Sequence, residues 1–494
     1  MTQYNKIDND DVKKIFKDFG ITGICFDSRK IKEGDIFVAI KGENFNGNDF
    51  IDLAIKLGAR ILITDDLKVI SSKLDSRIIY VENARIALSI IAGILYPNLP
   101  KYLIAVTGTN GKTSIVSYCH QLYRLLNQNS ASIGTMGLEC DSIAKEVLSD
   151  QSQHLTTLDP LTFRSILHNL ANNNIDYVAF EASSHGLVQE RLYDIKVQAA
   201  AFSSLSQDHL DYHKTMDNYL EAKLKLFKDN LSPDSVAIIN SEIKQSDLIK
   251  DCLIKYKIDF LTVGMNGDAQ INQIKSSIFG QEIAFTYGGK NYNFDTEIIS
   301  NVQSSNLLIA ALLVHKTGFK FEDVMMQLPK IRAVSGRLER VTDNNHPYHI
   351  LVDYAHTPDA LSNSLNELKK IKPINGKLKV IFGCGGNRDR SKRGLMGEIA
   401  SRISDEVIIT DDNPRYENPS AIRKEILESA LNAKETPNRK EAIINTINEL
   451  QEDDILLIAG KGHENYQIIG DTKIEFSDVC VAKEVIKNLY HREK

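Results

Sequence analysis

Residues 101–114 read KYLIAVTGTNGKTS, an apolar run that empties into a loop of small residues ahead of a lysine, and this stretch decides the architecture. A strand apolar on both faces belongs in a parallel sheet covered by helices. Behind it the loop carries Gly108 and Gly111, and Lys112 to Leu126 has helical periodicity. Successive N–H groups of such a loop can converge on phosphate oxygens, and the positive end of the following helix adds to that field. Lys112 can then reach the β- and γ-phosphates of a nucleotide, while Thr113 offers its hydroxyl to Mg²⁺. The general GxxxxGKT pattern wants glycine at 106, where this chain has Val106, so Gly108 and Gly111 form a shorter version.

Outward from the loop, the runs IDYVAFEAS, QAAAFSS and SVAIIN read as further strands with helices between them. Such alternation predicts a doubly wound α/β domain. The patch 258–298, with the glycine turn of TYGGKNYNF, reads as hairpins at its edge. Upstream, DIFVAI (35–40), RILIT (60–64) and RIIYV (77–81) flank a helical segment near 50–57, which makes a small mixed α/β domain closed by YPNLP at 96–100. Downstream of Ala333, four strands (348–353, 377–383, 405–410, 454–460) each run into polar or glycine-rich residues: DYAHTP, GCGGNRDR, DDNPR and GKGHENY. In an open parallel sheet such loops share the edge at which ligands bind. The expected domains are 1–98, 99–332 and 333–494.

The 494 residues carry a net charge of −6, with 42% hydrophobic and 25% charged residues, as in a soluble globular protein. No basic stripe interleaved with aromatics points to nucleic acid. The first residues, MTQYNKIDNDDVKK, are unlike a signal segment, and the longest apolar run, IALSIIAGILY at 86–96, is too short for a membrane span and stops at Pro97. Six scattered cysteines without metal spacing fit reduced thiols in the cytoplasm.

Two further features stand out chemically. Glu181 ends a buried apolar strand, where an unpaired charge is costly, so it is expected to face the Mg²⁺ held by Thr113. In DDNPR, Pro414 fixes a turn from which Asn413 and Arg415 project, and a guanidinium suits bidentate capture of a carboxylate. By pattern alone, His209 is a loop histidine, Lys223 one of three lysines on an amphipathic helix, and Arg337 a surface charge.

The loop TGTNGKT (107–113), EASSHGL (181–187), DHLDYHKTMDNYLEAKLKLF (208–227), SGRLERV (335–341), DYAHTPDAL (353–361), GCGGNRDRSKR (383–393), DDNPR (411–415) and AGKGHENYQ (459–467) occur in the order seen in the Mur ligases. DSRKIKEGDIFVAIKG (27–42) resembles that family's N-terminal domain. The resemblance covers nearly the whole chain. It implies three α/β domains: an N-terminal one binding the UDP-muramoyl peptide, a central P-loop parallel-sheet ATPase domain, and a C-terminal Rossmann-like domain binding the amino acid. Among the family's activities, the motifs are most similar to those that add meso-diaminopimelate to UDP-N-acetylmuramoyl-L-alanyl-D-glutamate through an acyl phosphate.

Carried over by motif, the resemblance assigns catalysis to Lys112, Glu181, His209 and Lys223. ATP is expected at Gly108, Thr109, Asn110, Gly111, Lys112, Thr113 and Ser114, with Asn306 against the adenine, Arg337 on the phosphates and Asp353 on the ribose. Gln303 stands where many members have Asn. Mg²⁺ is expected on Thr113, Glu181, His209 and Lys223, the last as a carbamate. The UDP-muramoyl peptide is assigned to Ser28, Glu43, Asn44, Phe45, Thr156, Thr157, Ser183, Gln189 and Arg191, although Leu158 replaces the proline that usually follows the two threonines. Diaminopimelate is assigned to Arg388, Asp412, Asn413, Pro414, Arg415, Gly460 and Glu464. Lysine-adding members usually lack the arginine at 415. The partners are then small molecules, with neither nucleic acid nor membrane, and a cytoplasmic monomer serving cell-wall growth, cell shape and division is expected. Ligation of L-lysine, a folylpolyglutamate-synthase-like ligase and a regulatory P-loop ATPase are the alternatives.

Overall fold

The computed structural model describes residues 21, 23–42, 45–72, 75, 77–140, 156–343 and 346–492. The chain forms two compact units. One runs to Thr262 and takes in Leu312–Phe321; the other comprises Val263–Ala311 and Glu322–Lys494.

The first unit holds a four-stranded parallel sheet of Gly23–Cys25, Asp35–Ala39, Ile61–Thr64 and Ile78–Tyr80, in that order. Helix Ala84–Leu95, formed by the apolar run ahead of Pro97, covers it and buries Ala84, Ala87, Leu88, Ile90 and Ile91. Asn83 caps this helix by accepting from the N–H groups of Arg85 and Ile86. A second sheet orders Leu231–Asn240, Val197–Phe202, Tyr102–Thr107, Tyr177–Glu181, Ser130–Gly134 and Gly137–Cys140. Only the last pairing of that series is antiparallel. Tyr102–Thr107 lies between two parallel neighbours, so Ile104, Ala105 and Val106 are wholly buried, as their unbroken apolar run requires. Register pairs Val106 with Glu181 and Thr107 with Phe202, which brings the carboxyl ends of three strands to one edge.

In the second unit, the patch read as hairpins is an antiparallel meander of Ala269–Ser277, Gly280–Tyr287 and Lys290–Thr296. Gly288 and Gly289, at φ 57° and 75°, make its tight turn, where both residues must be left-handed. The main sheet orders Glu339–Arg340, His349–Asp353, Ile455–Ala459, Leu378–Phe382, Glu406–Ile409 and Lys434–Glu435. Its four central strands are parallel and in register at their ends, Asp353 opposite Ala459 and Phe382 opposite Ile409, so the four polar loops share one edge. The hairpin Tyr466–Ile469/Thr472–Glu475, which the sequence pattern did not announce, follows the last of these loops.

Candidate active site

At the end of strand Tyr102–Thr107, Gly108 adopts φ +141°, and a Cβ there would stand 2.1 Å from Ser203 Oγ. Gly111, at φ 89°, launches helix Lys112–Leu125 from a left-handed residue. Both glycines are therefore demanded by backbone shape and close approach. The loop is pinned from the neighbouring strand end: the N–H of Thr109 donates to Ser204 O (2.8 Å) and that of Asn110 to Ser204 Oγ (2.8 Å). Thr109 Oγ1 lies 3.3 Å from the Tyr219 hydroxyl. Lys112 curls back, its Nζ donating to the carbonyls of Gly108 and Thr109, both at 2.9 Å. Those weak acceptors leave the ammonium to be drawn away by phosphate.

Glu181 is buried without solvent to share its charge. Its Oε1 accepts from Thr113 Oγ1 (3.0 Å) and Thr135 N (2.8 Å), and its Oε2 from Thr135 Oγ1 (3.2 Å). These donors satisfy the carboxylate at the edge of the phosphate loop. Thr157 Oγ1 donates to Glu181 O (2.9 Å) and accepts from Ser183 N (2.8 Å), which ties the threonine pair to the same strand end. Arg191 reaches Thr157 O and forks onto Gln189 Oε1 at 3.2 and 2.8 Å.

These residues open onto a cavity of about 960 Å³ within the first unit. Ser28, Phe45, Thr156, Thr157, Ser183, Gln189 and Arg191 line it together, as do His185 and His209. Glu43 and Asn44 lie outside the described residues. Phe45 is 75% exposed at the cavity wall, an apolar ring that none of the described residues covers. Leu158 is buried, and the next residue, Asp159, caps helix Pro160–Asn172 by accepting from Leu161 N and Thr162 N. The turn after Leu158 is thus held by a cap.

Lys223, on helix Met216–Asn230, is 1% exposed. Its Nζ donates to Gly108 O at 2.8 Å and sits 4.2 Å from the centre of the Tyr219 ring. Burial first, then the charge of Lys112, pushes this amine well below the ordinary lysine range. Nearby, the rings of His185 and His209 meet edge to face at 4.8 Å, and His185 and His213 at 5.4 Å. His213 Nε2 is 2.9 Å from Ser184 Oγ, and its pKa falls to about 4, mainly by burial and then by the neighbouring His185 and Lys223. His209 is left-handed at φ 52° and half exposed, with Nε2 3.4 Å from Asp208 Oδ2.

Thr113 and Glu181 form a hard oxygen pair beside the phosphate loop, a donor set that fits Mg²⁺. Among the described residues, no group of three or more His, Cys, Asp or Glu could hold a metal. Mg²⁺ commonly takes one or two protein oxygens and completes its shell with phosphates and water. Lys223 as an amine is no ligand for it. Ser203, Ser204, Thr135, Tyr219, His185 and His213 were not singled out from the sequence. Only the strand-end position of Ser203 and Ser204 hinted at a role.

In the second unit, Asn306 is buried, with Nδ2 donating to Gln303 Oε1 at 3.1 Å. Asp353 accepts from Leu338 N (2.8 Å) and Ala355 N (2.7 Å), and burial raises its pKa to about 6 against the pull of Arg337. The Arg337 guanidinium stacks 4.7 Å from the Tyr354 ring. The loops DDNPR and GKGHENY interlock. Asn413 Nδ2 donates to Glu464 Oε2 (2.9 Å), Gln467 Nε2 to Asp412 O (2.6 Å), and the hairpin's Ile468 O accepts from Arg415 N (3.1 Å). Pro414 O lies against Gly386, where a Cβ would come within 2.0 Å. Arg415 Nη1 donates to Gly386 O at 2.9 Å. Arg388 is exposed, with Cγ 3.8 Å from where a Cβ on Gly385 would stand, and Gly460 N donates to Asp353 O. The fully buried Lys461, absent from the expected site, sits among Asp412, Asn413 and Glu464.

Family models match the chain in three successive blocks: the Mur ligase family catalytic domain over residues 20–96, the Mur ligase middle domain over 106–314, and the Mur ligase glutamate ligase domain over 336–462. The UDP-N-acetylmuramoyl-L-alanyl-D-glutamate–2,6-diaminopimelate ligase of Rickettsia conorii is 52% identical over 481 residues, covering 96% of this chain and 98% of its own length. The protein of the same name from Zymomonas mobilis is 41% identical over 475 residues, with 95% and 96% covered. A solved structure of a ligase of that name superposes with a TM-score of 0.70 at 32% identity, covering 95% of this chain and 96% of the other. A Thermotoga maritima MurF ligase in complex with ADP shares the fold at TM-score 0.60 and 17% identity, over 97% of this chain and 100% of the other.

Proposed function

The chain belongs to the Mur ligase family, and from that premise we propose that it joins meso-diaminopimelate to the D-glutamate γ-carboxylate of UDP-N-acetylmuramoyl-L-alanyl-D-glutamate, with ATP cleaved to ADP and phosphate. It is an ATP-dependent, ADP-forming amide ligase of peptidoglycan synthesis. The choice of amino acid rests on one observation: Arg415 and Glu464 belong to a single interlocked cluster. A guanidinium beside a carboxylate suits a group bearing both carboxylate and ammonium. The far end of diaminopimelate carries both; the far end of lysine carries only an amine.

A carboxylate at neutral pH has no adequate leaving group. Its oxygen therefore attacks the γ-phosphorus, the bond to ADP breaks, and an acyl phosphate results. The free amine then attacks the acyl carbon, phosphate leaves, and the amine gives up one proton. Lys112 exchanges its two carbonyl acceptors for phosphate oxygens and offsets their charge. Thr113 and Glu181, with His209 and modified Lys223, would hold Mg²⁺, which supplies further neutralisation of phosphate charge when bound. A neutral amine at Lys223 adds CO₂ with release of one proton, turning a buried base into a carbamate anion. The cavity residues Thr156, Thr157, Ser183, Gln189 and Arg191 hold the muramoyl peptide, with Ser28 and Phe45 toward its nucleotide. The use of nucleotide-linked precursors and ATP supports a cytoplasmic role in the service of cell shape and division.

An amino-acid panel tests the reading. Purified protein is given ATP, Mg²⁺, the muramoyl dipeptide nucleotide and one amino acid at a time, with ADP and product mass recorded. ADP release is expected only when all components are present, with diaminopimelate favoured over lysine by roughly 100-fold or more in kcat/KM. Preference for lysine would overturn the role of Arg415, and ADP release without any amino acid would overturn the ligase.

A further inference from the structure

Lys461 has no solvent contact, and its Nζ lies 3.4 Å from Asp412 Oδ1, 3.1 Å from Asn413 Oδ1 and 3.1 Å from Glu464 Oε2. Asn413 is specified from both sides. Its Oδ1 accepts from Lys461 and from Ile468 N (3.0 Å), while its Nδ2 donates to Glu464 Oε2 (2.9 Å). A flipped amide would point N–H groups at an ammonium and at another N–H, so only one orientation is stable. Glu464 Oε2 thus takes two donors. Among the described residues, Oε1 has no hydrogen-bond partner.

We infer that Lys461 is a positioning residue of the amino-acid site, holding Asn413 and Glu464 so that Glu464 Oε1 stands as the acceptor for the distal ammonium of the incoming diaminopimelate. This rests on the proposed function. The chemistry follows from charge. Asp412 and Glu464 both approach Asn413, and without a cation between them their repulsion would spread the loops DDNPR and GKGHENY apart. A buried lysine adds little to stability over an apolar residue of its size, because desolvation offsets the ion pairs. What it gives is orientation, since each carboxylate meets the ammonium through one defined oxygen. Lys461 itself touches no substrate in this arrangement, because its three contacts are already with the protein.

The test compares the full chain with Lys461→Met, Glu464→Gln and the double variant, measuring KM for each of the three substrates. Lys461→Met is expected to raise KM for diaminopimelate ~10- to 100-fold with kcat changed less than ~3-fold, as when a buried charged partner is removed. KM for ATP and for the muramoyl dipeptide nucleotide stays at its wild-type value. In the Glu464→Gln background, Lys461→Met adds less than ~2-fold, because its effect passes through Glu464. Three outcomes would overturn the inference: an unchanged KM for diaminopimelate, an equal rise for all three substrates, or full additivity with Glu464→Gln. Should Lys461→Met fail to fold, Lys461→Gln, which keeps a donor without the charge, is read by the same criteria. Wild-type protein that ligates no diaminopimelate defeats the proposed function instead, so the two failures are distinct.

Discussion

Lys223 and Lys461 are both sealed from solvent, one in each compact unit, and their surroundings are opposite. Lys223 meets a carbonyl oxygen and the face of Tyr219, with the cation Lys112 close enough to disfavour its charge. Lys461 meets two carboxylates and an amide oxygen. The same side chain at the same burial is therefore driven to different chemistry. Burial and a neighbouring cation push the one amine toward its neutral, nucleophilic form; among carboxylates, the other serves as a fixed strut. A scan for buried lysines would find both, and only their neighbours separate them.

The largest expected effect breaks the comparison on the Lys223 side. Lys223→Ala should lower kcat by roughly 10³-fold, the scale on which electrostatic groups at a phosphoryl-transfer centre act. If the working form is a carbamate, a short carboxylic acid added to the variant should restore part of the rate. Activity equal to wild type, measured by ADP release, would make Lys223 a packing residue like any other buried side chain. A variant impaired but indifferent to added carboxylate would remove the carbamate and leave only the amine.

Arg415 sharpens the other side. Lys461 is consumed by contacts within the protein, whereas among the described residues the Arg415 side chain donates only from Nη1, to Gly386 O and Asn413 O. Arg415→Ala should lower kcat/KM for diaminopimelate by about 100-fold, the cost of losing a charge-assisted pair. The rate with lysine should hardly change, and the ratio of the two is the measurement. Equal losses on both amino acids would mean that Arg415 shapes the loop rather than reading the ligand.

The two regions also differ in how much of them could be read beforehand. The phosphate loop was legible because backbone geometry writes itself locally: Gly108 and Gly111 are spaced by the turn they make, and the strand and helix lie on either side. Its supports were not, since Ser203 and Ser204 reach it only through the pairing of Thr107 with Phe202. The four strand-end loops of the second unit were likewise visible as a shared edge. Lys461 stood in plain view in GKGHENY, yet nothing in one sequence says that Asp412 lies opposite it. The hairpin Tyr466–Glu475 that clamps Arg415 is short and only weakly apolar, so its alternation carried no signal.

The smallest effect concerns His213, which feels the state of Lys223. Its pKa is pushed down to about 4, from an ordinary 6.5, by burial first and then by the neighbouring His185 and Lys223. A histidine with a depressed folded pKa binds fewer protons than the unfolded chain between those values. Stability therefore falls as pH drops from about 6.5 toward 4 and is unaffected above that window. His213→Gln removes this titration, so its melting temperature should decline less over the window, by roughly 2–4 °C. A wild-type decline no steeper than that of His213→Gln would mean that burial, His185 and Lys223 leave this imidazole unshifted.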